Sequence, residues 1–109
     1  MQFANKVAVI TGGASGLGLG IAKILGQRNA KLALIDINDE RVQEAAQSLS
    51  NTGFTVRAFQ ADVTNEADID SCINSIEQEV GKIDILVNSA GVIAESAFED
   101  SQELSLIHI

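Results

Sequence analysis

The sequence predicts an α/β protein: a doubly wound parallel sheet, β-α-β-α-β-α-β, with strand order 3-2-1-4. Three observations lead there. Four apolar runs of strand length, "KVAVIT" (6–11), "KLALID" (31–36), "TVRAFQAD" (55–62) and "KIDILVNS" (82–89), are spaced along the chain. Between them lie three stretches whose apolar residues recur at helical spacing. The strands are nearly continuous in apolar residues rather than alternating, the pattern of a sheet covered by helices on both faces.

Each element follows in order. The first strand runs into a glycine-rich segment and then a helix over about 17 to 28, carried by Leu17, Ile21, Ile24 and Leu25. After the second strand a helix over about 39 to 50 repeats Val42, Ala45, Ala46 and Leu49, and after the third a helix over about 66 to 80 repeats Ile69, Cys72, Ile73, Ile76 and Val80. Asp39, and Thr64 or Asn65, are suitable N-caps, and an acidic first turn favours the positive helix end. Gly53 and Gly81 fall just past helix ends, where a left-handed residue is least costly as glycine. Right-handed crossovers then give the order 3-2-1-4. The fourth strand reads as central and buried, yet no later segment is expected to cover its far edge, so the sheet is expected to be incomplete.

Composition bounds the function. The 109 residues are 46% apolar, the make-up of one globular domain, with no proline, repeat or linker to divide them. Fifteen acidic and seven basic residues give a net charge of −8, which argues against nucleic acid or an anionic membrane as partner. With neither a bilayer-length apolar stretch nor a signal-type start, the reading is cytoplasmic. One cysteine excludes an internal disulfide, and Cys72 falls among isoleucines as a small buried hydrophobe. No metal-ligand spacing is present.

Gly12, Gly13, Gly16, Gly18 and Gly20 crowd into nine positions after the first strand. A glycine-rich turn at a helix N-terminus presents several backbone N–H groups and the positive end of the helix dipole, an anion site. A Cβ at Gly12 or Gly16 is expected to push a bound pyrophosphate away from those amides, and one at Gly18 to separate helix from strand. Ser15 and Leu17 belong to the same turn.

The residues read Thr11-Gly12-Gly13-Ala14-Ser15-Gly16-Leu17-Gly18, a T-G-x-x-x-G-x-G spacing. Asp36 closes the second strand, Asp62-Val63 the third, and Asn88-Ser89-Ala90-Gly91 the fourth. Together, over residues 7 to 91, these segments resemble the short-chain dehydrogenase/reductase family, whose N-N-A-G the last one matches with serine at the second position. The nearest likeness is to 3-oxoacyl-carrier-protein reductase-like members. The resemblance implies a Rossmann-type fold and a cofactor site made by Gly12, Ser15, Gly16, Leu17, Gly18, Asp36, Ile37, Asp62, Val63, Asn88, Ala90 and Gly91. In it Asp62 and Val63 would meet the adenine, while Asn88, Ala90 and Gly91 would line the adenosine ribose and steady the sheet. Asp36, eighteen positions after Gly18, has the spacing of an acid that accepts from ribose hydroxyls. A 2′-phosphate there would meet like charge, so NAD is favoured over NADP, and the glycine turn carries no Lys or Arg. The expected activity of a full-length protein is hydride transfer between NAD(H) and a small-molecule carbonyl or alcohol, in a homo-oligomer.

The family's chemistry resides in a Tyr-x-x-x-Lys pair and a preceding Ser. This chain has no tyrosine, its last lysine is Lys82, and no catalytic residue is assigned. The end, Leu104 to Ile109 or "LSLIHI", can be written CTG TCT CTT ATA CAC ATC, which resembles a transposon-end sequencing adapter. Residues 1–103 are therefore expected to form a partial cofactor domain and 104–109 a non-native tail. The fragment is expected to be inactive. Two alternatives are a stand-alone dinucleotide-binding module without catalysis and a nucleoside-cofactor methyltransferase; the T-G-x-x-x-G-x-G spacing and the "NSAG" segment speak against the latter.

Overall fold

The computed structural model describes residues 2–90 and 105–108. Strand β1 (Val7–Thr11) leads to α1 (Gly16–Gln27), β2 (Lys31–Asp36), α2 (Asp39–Asn51), β3 (Val56–Gln60), α3 (Glu66–Glu79), β4 (Ile83–Asn88) and β5 (Ser105–His108). All strand pairs are parallel, and the order is β3-β2-β1-β4-β5. The expected 3-2-1-4 core is present. The outer edge of β4, expected to stand open, is instead paired by β5, with Ile85 to Asn88 opposite Ser105 to His108. A buried strand left with an unpaired edge would expose its backbone groups, and a short strand of any composition can satisfy them through main-chain bonds alone.

The sheet divides the core in two. Ala8, Ile10, Leu32 and Leu34 face α1 and α2, meeting Ala22, Leu25, Val42 and Leu49. Val7, Val9, Ala33 and Ile35 face α3, meeting Ile69, Cys72, Ile73 and Ile76. In β4 the parity breaks: Ile83 belongs to the α3 side but Ile85 to the other. The cause is a β-bulge, because Val7 pairs with Ile83 while Ala8 pairs with Ile85. Asp84, skipped in the ladder, accepts from the Val7 N–H with its Oδ2 at 3.0 Å.

Helix ends show the local chemistry. Asn38, not Asp39, caps α2: its Oδ1 accepts from the Arg41 amide at 3.0 Å, three residues on, which leaves Asp39 as the first helical residue. Asn65 caps α3 in the same way through Asp68 N at 3.0 Å. Gly53 (φ 97°) and Gly81 (φ 144°) follow α2 and α3 as expected, and after α1 Asn29 takes the left-handed place at φ 70°. Among the described residues no helix is long and apolar enough to cross a membrane, and none of their His, Cys, Asp and Glu side chains cluster as a metal site would need.

Cys72 is buried on the α3 side. Burial first, and the nearby Asp68 carboxylate second, push its thiol up to about 11. At mildly alkaline pH it is expected to react with a thiol reagent at least about tenfold more slowly in the folded chain than in urea, because only the thiolate attacks. Equal rates in the two states would show that the thiol is accessible and its ionisation ordinary.

Candidate functional site

All four motifs arrive at one edge of the sheet, because parallel strands carry their carboxyl ends to the same side. The turn after β1 is the tightest part. Gly12 has φ +66°, and a Cβ there would stand 3.2 Å from the Ser89 hydroxyl oxygen. Gly13 lies against β2, where a Cβ would come within 2.8 Å of the Leu34 Cβ. Gly18 is the strictest: a Cβ would fall 2.3 Å from the Gly12 carbonyl oxygen and 2.9 Å from the Ser89 Oγ. Gly16 and Gly20 face open space: among the described residues, no atom beyond their own helical turn lies within 4 Å of an added Cβ. Five glycines thus divide: Gly12, Gly13 and Gly18 permit close backbone approach, Gly16 borders open space at the helix start, and Gly20 has no packing demand.

Ser15 closes the turn as the N-cap of α1. Its hydroxyl donates to the Gly12 carbonyl at 2.7 Å and accepts from the Gly18 N–H at 3.1 Å. Leu17, at the first turn of α1, is 54% exposed beside the open space at Gly16. At the end of β2 the Asp36 carboxylate accepts from Ala14 N at 3.2 Å through Oδ2 and from Asn38 N at 3.1 Å through Oδ1. Ile37, next in the chain, is 64% exposed at the mouth of the site.

Beyond β3, Asp62 holds the following loop. Its Oδ1 accepts from the Thr64 hydroxyl at 2.6 Å and the Thr64 amide at 3.0 Å, and these bonds hold its carboxyl below the usual carboxylate range. Its own N–H donates to Asp68 at 2.7 Å. A cleft of about 200 Å³ opens between these loops, lined by Gly12 from the turn, Ile35 and Asp36 from β2 with Ile37 just after it, Ala61 to Thr64 after β3, and Ala90 after β4.

At the end of β4, Asn88 is buried next to Thr11, which donates from its hydroxyl to the Asn88 Oδ1 at 2.8 Å. The same oxygen accepts from Ala90 N at 3.3 Å. Ser89, where the family pattern has asparagine, donates its hydroxyl to the Thr11 carbonyl, linking β4 to β1 just before the glycine turn.

The expected site residues are therefore gathered along one edge, with Gly91 lying outside the described residues. Ala61 and Thr64 as cleft walls, Thr11 as partner of Asn88 and Asp68 as partner of Asp62 were not singled out from sequence. Thr11 left a trace there as the first letter of T-G-x-x-x-G-x-G, and Thr64 only as a candidate N-cap, a place that Asn65 takes.

The arrangement suits a dinucleotide. Open space at Gly16, which a side chain would fill, adjoins the N-terminus of α1, whose leading amides and positive dipole end favour an anion. A carboxylate that can accept from hydroxyls lines the cleft beside it, between apolar Ile37 and Val63. Gly16 and Leu17 could meet a pyrophosphate, Asp36 a ribose, and Ile37, Asp62 and Val63 an adenine.

Comparison with known proteins agrees with this geometry. The family model for short chain dehydrogenases matches residues 6–108. The chain is 41% identical over 97 residues to 2-(S)-hydroxypropyl-CoM dehydrogenase 3 of Xanthobacter autotrophicus, covering 89% of this chain and 38% of that protein. It is 44% identical over 89 residues to 2,3-dihydro-2,3-dihydroxybenzoate dehydrogenase of Bacillus subtilis, covering 82% of this chain and 34% of that one. The solved structure of NAD+-bound xylitol dehydrogenase matches with a TM-score of 0.80 and 34% identity, over 84% of this chain and 35% of that chain. The chain thus spans between 34% and 38% of the length of these two curated relatives. With a 3-2-1-4 parallel core, the glycine turn after β1 and a family match from residue 6 to 108, the chain belongs to the short-chain dehydrogenase family.

Proposed function

We propose that this chain supplies the NAD-binding part of a dehydrogenase whose complete form moves a hydride between NAD(H) and an alcohol or carbonyl carbon of a small molecule. The nicotinamide, when bound, supplies the hydride chemistry. The chain's own residues bind and orient: the turn amides at Gly16 and Leu17 take the pyrophosphate while the Gly18 amide is held by the Ser15 hydroxyl, Asp36 takes the adenosine ribose, and Ile37 and Val63 flank the adenine. Relatives of the family whose names state dehydrogenases, and a structural neighbour holding NAD+, support a nicotinamide dinucleotide. This sequence has no tyrosine, so the family's Tyr-x-x-x-Lys pair is not within it, and these 109 residues alone are expected to bind cofactor without turnover.

One observation carries the choice of NAD over NADP: the Asp36 carboxylate lines the cleft at the end of β2. A 2′-phosphate beside it would be repelled by about 4 kcal/mol per charge pair at 4 Å in an intermediate dielectric, less where solvent screens it. The glycine turn brings no cation to offset this. Fluorescence titration of the chain with NADH and NADPH tests the reading. NADH is expected to bind at least about tenfold more tightly, the discount for screening included. Equal affinities overturn the NAD assignment, and binding of neither overturns the proposed function.

A further inference from the structure

Two consecutive amides of the glycine turn are tied to two consecutive residues of β2. Gly13 N–H donates to the Ile35 carbonyl at 3.1 Å, and Ala14 N–H donates to Asp36 Oδ2 at 3.2 Å. The other carboxylate oxygen accepts from Asn38 N at 3.1 Å. Asn38 is itself the cap of α2, with its Oδ1 accepting from Arg41 N at 3.0 Å. A single carboxylate therefore joins the turn leading into α1 to the start of α2. One of its two partners belongs to the segment that presents amides to an anion; the other does not.

We infer that Asp36 is a positioning residue for the pyrophosphate end of the site, in addition to any contact with a ribose. This deepens the proposed function and rests on it. The turn contains Gly12 at φ +66°, and neither Gly12 nor Gly16 has a side chain to restrict it; the Ser15 hydroxyl and amide close it from within through the Gly12 carbonyl, and the bonds to β2 restrain the two peptides between. The Gly13 bond fixes one peptide of the turn, and the Asp36 bond fixes the next, immediately before the Ser15 cap. Without the second restraint the turn spends less time in its anion-accepting form, and apparent affinity falls by that fraction. Charge alone gives the opposite sign, since removing a carboxylate near an anion site should tighten anion binding. A loss of affinity for an anion upon removal of Asp36 is therefore a signature that neither electrostatics nor a ribose contact produces.

The test uses the whole chain, labelled with 15N, titrated separately with inorganic pyrophosphate and with NADH while the amide shifts of Gly16, Leu17 and Gly18 are followed. Asp36→Ala is expected to weaken pyrophosphate about fivefold, as the competent fraction of the turn falls. Asp36→Asn, which keeps one acceptor oxygen, is expected to weaken it about twofold, restoring much of the loss. Pyrophosphate affinity unchanged or tighter in Asp36→Ala, with NADH weakened, overturns the inference and leaves the ribose role standing. Failure of pyrophosphate to shift the turn amides of the unaltered chain, while NADH does, also overturns it. Failure of both ligands overturns the proposed function itself. If Asp36→Ala does not fold, the near-isosteric Asp36→Asn decides: unchanged or tighter pyrophosphate binding in it counts against the inference.

Discussion

Gly18→Ala is expected to abolish NADH binding and to destabilise the chain together. The added methyl would be 2.3 Å from the Gly12 carbonyl oxygen and 3.0 Å from its carbon, both backbone atoms, and 2.9 Å from the Ser89 Oγ. No rotamer relieves a Cβ clash, so α1 must move from the end of β1 or the turn must deform. Overpacking of this kind costs about 1–3 kcal/mol, and a backbone clash belongs at the upper end. Gly16→Ala is the matched comparison. Among the described residues no atom beyond its own helical turn lies within 4 Å of its Cβ, and alanine in place of a glycine at the head of a helix adds up to about 1 kcal/mol of stability. Its melting midpoint is therefore expected to hold or rise while NADH affinity falls, because the methyl enters the space proposed for the pyrophosphate. Calorimetric melts and NADH titration of both variants separate the two roles. Normal cofactor binding by Gly18→Ala would show that close approach at this position is dispensable.

The second large effect is expected at Asn88→Ala. Asn88 and Thr11 are 1% and 0% exposed, and the amide oxygen of Asn88 serves both the Thr11 hydroxyl at 2.8 Å and the Ala90 amide at 3.3 Å. Truncation leaves the Thr11 hydroxyl a long 3.4 Å contact to the Val87 carbonyl and removes the acceptor for Ala90. Orphaned buried donors cost about 1–3 kcal/mol each, so a loss of about 2–4 kcal/mol is expected in urea unfolding. That is a large share of the roughly 5–15 kcal/mol that holds a domain together. The double variant Thr11→Val/Asn88→Ala should recover part of the loss, since no hydroxyl then remains to be orphaned. An unfolding midpoint unmoved by Asn88→Ala would show that Thr11 draws its stability elsewhere.

Much of the fold was legible because burial in a parallel sheet leaves a strong signature. Val9, Ile10, Leu34 and Leu86 are buried in strands recognisable as apolar runs, and Val42, Ala45, Ala46 and Leu49 are the buried stripe of α2 read from spacing. The N-cap of α2 was misplaced by one residue because Asn38 and Asp39 are both good caps, and the choice depends on which oxygen reaches the third amide. The left-handed residue after α1 was missed because Asn29 lacks the glycine signal, although asparagine also takes that conformation. Within the site, Gly12, Gly18 and Asp36 were legible through spacing. The roles of Gly13 and Ser89 were not, since they depend on Leu34 and Thr11, partners 21 and 78 positions away that only the fold brings near.

The bulge at Asp84 lies at the amino end of β4, far from the cleft, but it sets the phase on which the cleft depends. Counting from Ile83 opposite Val7, an unbroken ladder would deliver Val87, not Asn88, opposite Thr11. The one skipped residue advances the strand by a single step, so that the amide meets the hydroxyl and Ser89 meets the Thr11 carbonyl. It also exchanges the faces to which the later residues of β4 point, which is why Val87 joins the α1 side and Leu86 the α3 side. Asp84 secures the skipped position by accepting the Val7 amide. The alignment of the binding edge is thus timed from the opposite end of the sheet, much as an offset at one end of a zip determines which teeth meet at the other.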